Sequence, residues 1–154
     1  MILVAIGANL PDRAGALPLV TCRAGVEALR SLPGLRVTAV SPWYRTAPVP
    51  ASAQPDFCNG MARLEGDCAP EWLLDHLHAI EARAGRVRSV ANAARVLDLD
   101  LIDCNGALRD GPLILPHPRA HQRGFVLLPL RDVAPDWIHP RLGLGPAALL
   151  AGLP

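Results

Sequence analysis

The stretch Arg95-Val96-Leu97-Asp98-Leu99-Asp100-Leu101 constrains the fold more than any other part of the chain. Apolar and acidic residues alternate with a period of two, and successive side chains of a β-strand leave opposite faces of the pleat. The segment therefore predicts a strand whose Leu97, Leu99 and Leu101 face a core. Asp98 and Asp100 then lie side by side on the other face, ~6–7 Å apart along the chain. Carboxylates held that close repel unless cations lie between them. Hard oxygen ligands on a rigid strand suit Mg²⁺, which takes one or two protein carboxylates and fills its shell with phosphate and water. The same pattern also describes the solvated outer face of an antiparallel strand, so the flanking residues matter.

Those flanks are basic. Residues 85–95 form a loop of small residues carrying Arg86, Arg88 and Arg95, and it leads straight into the aspartates. Arginines can simply neutralise a carboxylate pair. Beside a Mg²⁺-competent pair they also describe a phosphoryl-transfer site, where charge on the moving group needs clamping. All 15 Lys and Arg positions are arginine. A Walker A lysine, a protein-kinase strand lysine and Schiff-base chemistry on lysine are thereby excluded. If phosphate is handled, the planar fork of arginine handles it.

The net charge of +1 argues against a broad nucleic-acid footprint. With 154 residues, 51% of them apolar, the chain is expected to be a single domain over 1–154, and no apolar run approaches membrane-spanning length. Met1–Ile6 lacks a basic leader and passes directly into Gly7, so it is read as a first strand, and a cytoplasmic location is expected. Cys22, Cys58, Cys68 and Cys104 form no Cys-x-x-Cys pair and read as small buried hydrophobes in a reducing compartment.

The remaining elements follow from periodicity and punctuation. A first helix is expected from Asp12, as N-cap, to about Leu32, closed by Pro33-Gly34. A second strand runs from Leu35 to about Tyr44, and a proline-rich loop carries the chain to Pro55. The third strand, Asp56–Glu65, puts Phe57, Asn59, Met61 and Arg63 on one face. An aromatic and an amide so placed could hold a flat heterocycle, or could be a core ring beside a turn-satisfied Asn. A second helix spans about Pro70 to Ala84, with Glu81 beside its buried stripe. Strand material resumes at Leu113–Leu115, and a last main helix opens within 116–125 and continues to about Val133, with a short helix possible near Pro146–Ala151. His117 and His121 have the spacing of a helical zinc pair, but the prolines flanking His117 argue against zinc.

Four segments together resemble the 6-hydroxymethyl-7,8-dihydropterin pyrophosphokinase family. They are Ile6-Gly7-Ala8-Asn9-Leu10; Ser41-Pro42-Trp43-Tyr44-Arg45-Thr46 with Gln54-Pro55-Asp56-Phe57-Cys58-Asn59; Ile80-Glu81 with Gly85-Arg86-Val87-Arg88 through Leu97-Asp98-Leu99-Asp100; and Pro116-His117 with Arg123-Gly124-Phe125. They occur in the family's order and near its spacing. The resemblance implies an α+β fold, a ferredoxin-like α/β sandwich in which a mixed sheet carries helices, in agreement with the β-α-β-β-α-β order above. It also implies a reaction of folate biosynthesis: transfer of the β,γ-diphosphate of ATP to the hydroxymethyl oxygen of the pterin, releasing AMP.

By the same resemblance Asp98 and Asp100 hold two Mg²⁺ ions on the ATP triphosphate. Arg86 and Arg95 are catalytic, clamping the migrating group. Glu81, Arg88, Leu101, Ile114, His117 and Arg123 bind ATP. Thr46, Ala47, Val49, Phe57, Asn59 and Phe125 bind the pterin, Asn59 at its edge and the two rings on its faces. The expected partners are ATP and the dihydropterin, with no nucleic acid and no membrane, and the expected state is a monomer. The chain departs from the family's pattern at Ala8, where serine is frequent, and at 91–95, where Ala-Asn-Ala-Ala-Arg replaces a run of Trp-Gly-Pro-Arg type. The alternative is a relative that binds nucleotide or a different pterin without this turnover.

Overall fold

Seven apolar or small residues in a row must be covered on both faces, and β1 (Ile2–Ala8) accordingly lies inside the sheet. The computed structural model describes residues 1–11, 14–48, 50–85 and 96–154. β1 pairs with β4 (Phe57–Glu65) on one side and with β5 (Asp98–Cys104) on the other. β4 also carries β2 (Arg36–Val40) and β3 (Tyr44–Thr46), and all of these ladders are antiparallel. Two short strands, β6 (Arg109–Asp110) and β7 (Ile114–Leu115), form a separate hairpin.

Helices cover both faces of the sheet. On one, α1 (Pro18–Arg30) and α2 (Pro70–Arg83) bury Cys22, Val26, Leu29, Leu73, Leu77 and Ile80 against Ile2, Val4 and Ile6 of β1 and Leu99 and Leu101 of β5. On the other, α3 (Gly124–Val133) and α4 (Pro146–Ala151) bury Val126, Leu127, Leu130 and Leu149 against Leu3, Met61 and Ile102. This is the α+β sandwich expected above. Among the described residues no helix is long and apolar enough to cross a membrane.

Two local expectations are corrected. The first helix starts at Pro18, with Leu17 as an N-cap lacking a side-chain bond. Proline suits the first helical position because its missing N–H would be unpaired there anyway; the expected cap, Asp12, lies outside the described residues. The second strand is broken at Ser41-Pro42-Trp43 into β2 and β3. Pro42 cannot donate to a ladder, and Ser41 compensates by exchanging bonds with Met61, N–H to carbonyl at 2.9 Å and Met61 N–H to Oγ at 2.9 Å.

The last main helix opens inside the expected window, near its end. A 3-10 turn, Ala120–Gln122, is followed by extended Arg123, and α3 begins at Gly124, so His117 and His121 share no helix face. The alternation of β5 holds over the predicted stretch and loses phase only beyond it, at Asp103. A bulge against β1 between Leu3 and Val4 inserts Ile102, and Asp103 joins it on the α3 side. Asp103 accepts a 2.6 Å bond there from Trp137 Nε1, while Cys104 returns to the opposite core.

Candidate functional site

Toward α3, β1 presents Leu3, Ala5 and Gly7, tapering from a core side chain to none. Opposite Ala5 and Gly7 on β5 stand Asp100 and Asp98; opposite them on β4 stand Met61 and Asn59. The taper opens a cleft with Ala5 and Gly7 as its floor. Asp98 and Asp100 line one flank, and Phe57 and Asn59 line the other. Arg123 and Phe125 enter from the start of α3, and Thr46 and Ala47 from the end of β3. Eight residues singled out from the sequence thus meet in one place.

The amide of Asn59 is held on both sides. Its Nδ2 donates to Thr46 Oγ1, and its Oδ1 lies over Gly7, where an added Cβ would come within 2.8 Å. Glycine is needed at position 7 for that close approach. The proline-rich loop is tied down by Asn9, a buried residue just past β1, whose Nδ2 donates to Gln54 Oε1 and to the Pro55 carbonyl, each at 3.1 Å. Neither Asn9 nor Gln54 was singled out as a site residue from the sequence; an amide ending an apolar strand, with Gln-Pro in the following loop, was the available signal.

The aspartate strand and the segment beside it bring carboxylates and basic side chains together. Asp98 and Asp100 are half-buried. Burial lowers the pKa of Arg123, Arg119 adds to the effect, and Asp100 and Asp98 oppose it. His117 is set beside β5 by its own N–H, which donates to the Ile102 carbonyl at 2.9 Å. Its Nδ1 accepts from the Arg119 N–H at 3.2 Å, so the ring proton sits on Nε2. Burial, then the charges of Arg123 and Arg119, push His117 down to about 4 against the pull of Asp98. The ring is therefore neutral near pH 7, with its proton on Nε2. Arg119, absent from the sequence-based set, belongs to this basic cluster. Its position two residues after Pro-His was the only hint.

The other candidates sit elsewhere. Glu81 is fully buried on α2, and its Oε2 accepts a 2.8 Å bond from the Leu99 N–H, between the two aspartates. Leu101 is a core side chain beneath the sheet, and Ile114 is an exposed residue of the β6–β7 hairpin; neither lines the cleft. Val49, Arg86, Arg88 and Arg95 lie outside the described residues. Among the described residues no group of three or more His, Cys, Asp and Glu side chains forms a metal site. A carboxylate pair alone fits Mg²⁺, which draws its remaining ligands from phosphate and water.

Comparison with known proteins agrees with this geometry. The model of the 7,8-dihydro-6-hydroxymethylpterin-pyrophosphokinase family matches residues 3–135. The 2-amino-4-hydroxy-6-hydroxymethyldihydropteridine pyrophosphokinase of Pseudomonas aeruginosa is 43% identical over 136 residues, covering 88% of this chain and 81% of its own. Proteins of the same name from Synechocystis sp. and Methylorubrum extorquens are 39% and 38% identical, over 90% and 86% of this chain and 66% and 82% of their own. A chain with this cleft, this family match and these relatives belongs to the 7,8-dihydro-6-hydroxymethylpterin-pyrophosphokinase family.

Proposed function

We propose that the cleft transfers the β,γ-diphosphate of ATP to the hydroxymethyl oxygen of 6-hydroxymethyl-7,8-dihydropterin and releases AMP. The observation that carries this reading is the meeting of a carboxylate pair, Asp98 and Asp100, with an aromatic and amide set, Phe57, Asn59 and Phe125, across a floor of Ala5 and Gly7. Phe57 and Phe125 take the faces of the pterin ring, and Asn59 reads its edge, with Thr46 and Ala47 closing that end. The rings supply apolar area, and the amide supplies donor and acceptor together.

At the other end Arg123 and neutral His117 hold the nucleotide, His117 by donating through Nε2. Glu81 fixes the height of β5 through Leu99 N–H. Arg86 and Arg95 are assigned to the migrating group and Arg88 to the nucleotide, on the sequence pattern alone. Asp98 and Asp100 hold Mg²⁺, two ions in this reading, which when bound neutralises phosphate charge and aligns an in-line displacement. Holding the hydroxymethyl oxygen in line with the β-phosphorus is the protein's main contribution, and no side-chain nucleophile is required. The reading extends to one domain over 1–154 that acts as a cytoplasmic monomer on small molecules, without nucleic acid.

Single-turnover measurement of AMP release tests it. AMP is expected only when ATP, Mg²⁺ and the dihydropterin are all present, in equal amount to diphosphorylated pterin. Binding of both substrates without AMP release would overturn it.

A further inference from the structure

The proline-rich stretch between β3 and β4 lends Ala47, Pro48 and Pro50 to the cleft, so whatever fixes its two ends shapes the pterin side. Its far end is tied by Asn9 to Gln54 and Pro55. Its near end is β3, which is three residues long and, among the described residues, pairs with β4 alone. A ladder that short is marginal by itself. The register sets Tyr44 opposite Asn59 and Thr46 opposite Phe57. Directly opposed residues share a face of the sheet, so all four stand toward α3.

A side-chain bond completes the attachment of β3. Tyr44 Oη donates to Asp132 Oδ2 in the last turn of α3. The acceptor is a carboxylate, which makes the bond stronger than one between neutral groups. Arg63 Nη1 donates to the neighbouring Val133 carbonyl at 3.2 Å, so the same end of α3 is fastened to β4 separately, and Tyr44 is left to fasten β3. Asp132 follows Phe125 by two helical turns, which puts both on one face of α3. The two elements thus touch at Tyr44 and Asp132 and face the cleft at Thr46 and Phe125.

We propose that Tyr44 and Asp132 are a positioning pair for the pterin: their bond holds β3 against α3 and so sets the gap that Thr46 and Asn59 on one side and Phe125 on the other leave for the ring. Neither Tyr44 nor Asp132 lines the cleft. Thr46 Oγ1 accepts from Asn59 Nδ2, so a shift of β3 carries the partner of the amide with it. Asp98 and Asp100 stand on β5, across β1 from β4, and His117 is bonded to β5, so this bond does not hold them. Its loss weakens pterin binding and spares MgATP. That consequence rests on the function proposed above; the bond itself does not.

The test uses the full chain. Tyr44 is its single tyrosine, so ultraviolet titration reads this phenol alone. The bond to Asp132 holds the phenol above its ordinary range, and Asp132→Ala should bring the midpoint back down. An unchanged midpoint would overturn the bond. Steady-state kinetics read its effect. Tyr44→Phe removes only the hydroxyl and should raise the KM for dihydropterin about fivefold, with kcat and the KM for ATP within about twofold of the parent. Asp132→Ala should match it, and Asp132→Asn, which keeps an oxygen acceptor, should recover part of the loss. The double variant Tyr44→Phe/Asp132→Ala should be no worse than either single one. A dihydropterin KM unmoved in Tyr44→Phe, effects that multiply in the double variant, or an equal rise in the KM for ATP would overturn the positioning role. A parent protein that binds no dihydropterin would count instead against the proposed function, since the titration reads the bond without substrate.

Discussion

Gly7 and Asn59 face each other across the β1–β4 ladder, with Asn59 Oδ1 only 2.8 Å from where a Cβ on residue 7 would stand. Gly7→Ala therefore displaces the amide and costs the Asn59–Thr46 bond. Dihydropterin affinity should fall by about 1–2 kcal/mol, roughly tenfold, with MgATP affinity retained. Calorimetric titration of each substrate against the variant separates the two.

Glu81 and Leu99 make a second prediction. Glu81→Ala leaves the Leu99 N–H without this buried acceptor and should lower stability by about 1–3 kcal/mol, read as an earlier urea midpoint. Glu81→Gln keeps an oxygen there and should lose less. Equal losses in the two variants would show that the carboxylate acts by charge rather than by accepting from β5.

His117 sets a pH dependence. Its folded pKa, about 4, lies below the ordinary value of 6.5. Between those values the unfolded chain binds a proton that the folded chain does not, so stability is full above about pH 6.5 and is lost as pH falls toward 4. His139, lowered by burial and then by His121, acts in the same direction. Urea melts across this range should show His117→Gln with a shallower acid slope than the parent and a residual slope left by His139.

Asn9 joins β1 to the proline-rich loop by two hydrogen bonds. Asn9→Ala should raise the KM for dihydropterin several-fold and speed proteolytic cleavage within the loop, with little change in the KM for ATP. Unchanged cleavage would show that the loop is held by other contacts.

How far the sequence reaches is visible residue by residue. The alternation of Leu97–Leu101 placed the aspartates and leucines on the correct faces because a pleat has only two. It failed at Asp103, since a bulge is dictated by the partner strand rather than by local pattern. Phe57 and Asn59 were legible for the same reason as the aspartates. The break at Pro42 was hidden because Ser41 restores the ladder bonds through its side chain, a tertiary arrangement. The link between Asn9 and Gln54, the cluster of Arg119 with His117, and the bond from Tyr44 to Asp132 all join distant or irregular segments, for which no periodicity exists. Leu101 shares its strand with the metal-binding candidates, yet its parity sends it into the opposite core.

The central claim is that Asp98 and Asp100 hold the metal-bound nucleotide. Calorimetric titration of MgATP into Asp98→Ala and Asp100→Ala, with thermal melts of each, tests it most directly. Each variant should lose about tenfold or more in MgATP affinity, with melting shifted by only a few degrees, roughly 1 kcal/mol. MgATP affinity equal to the parent's in both variants would contradict it.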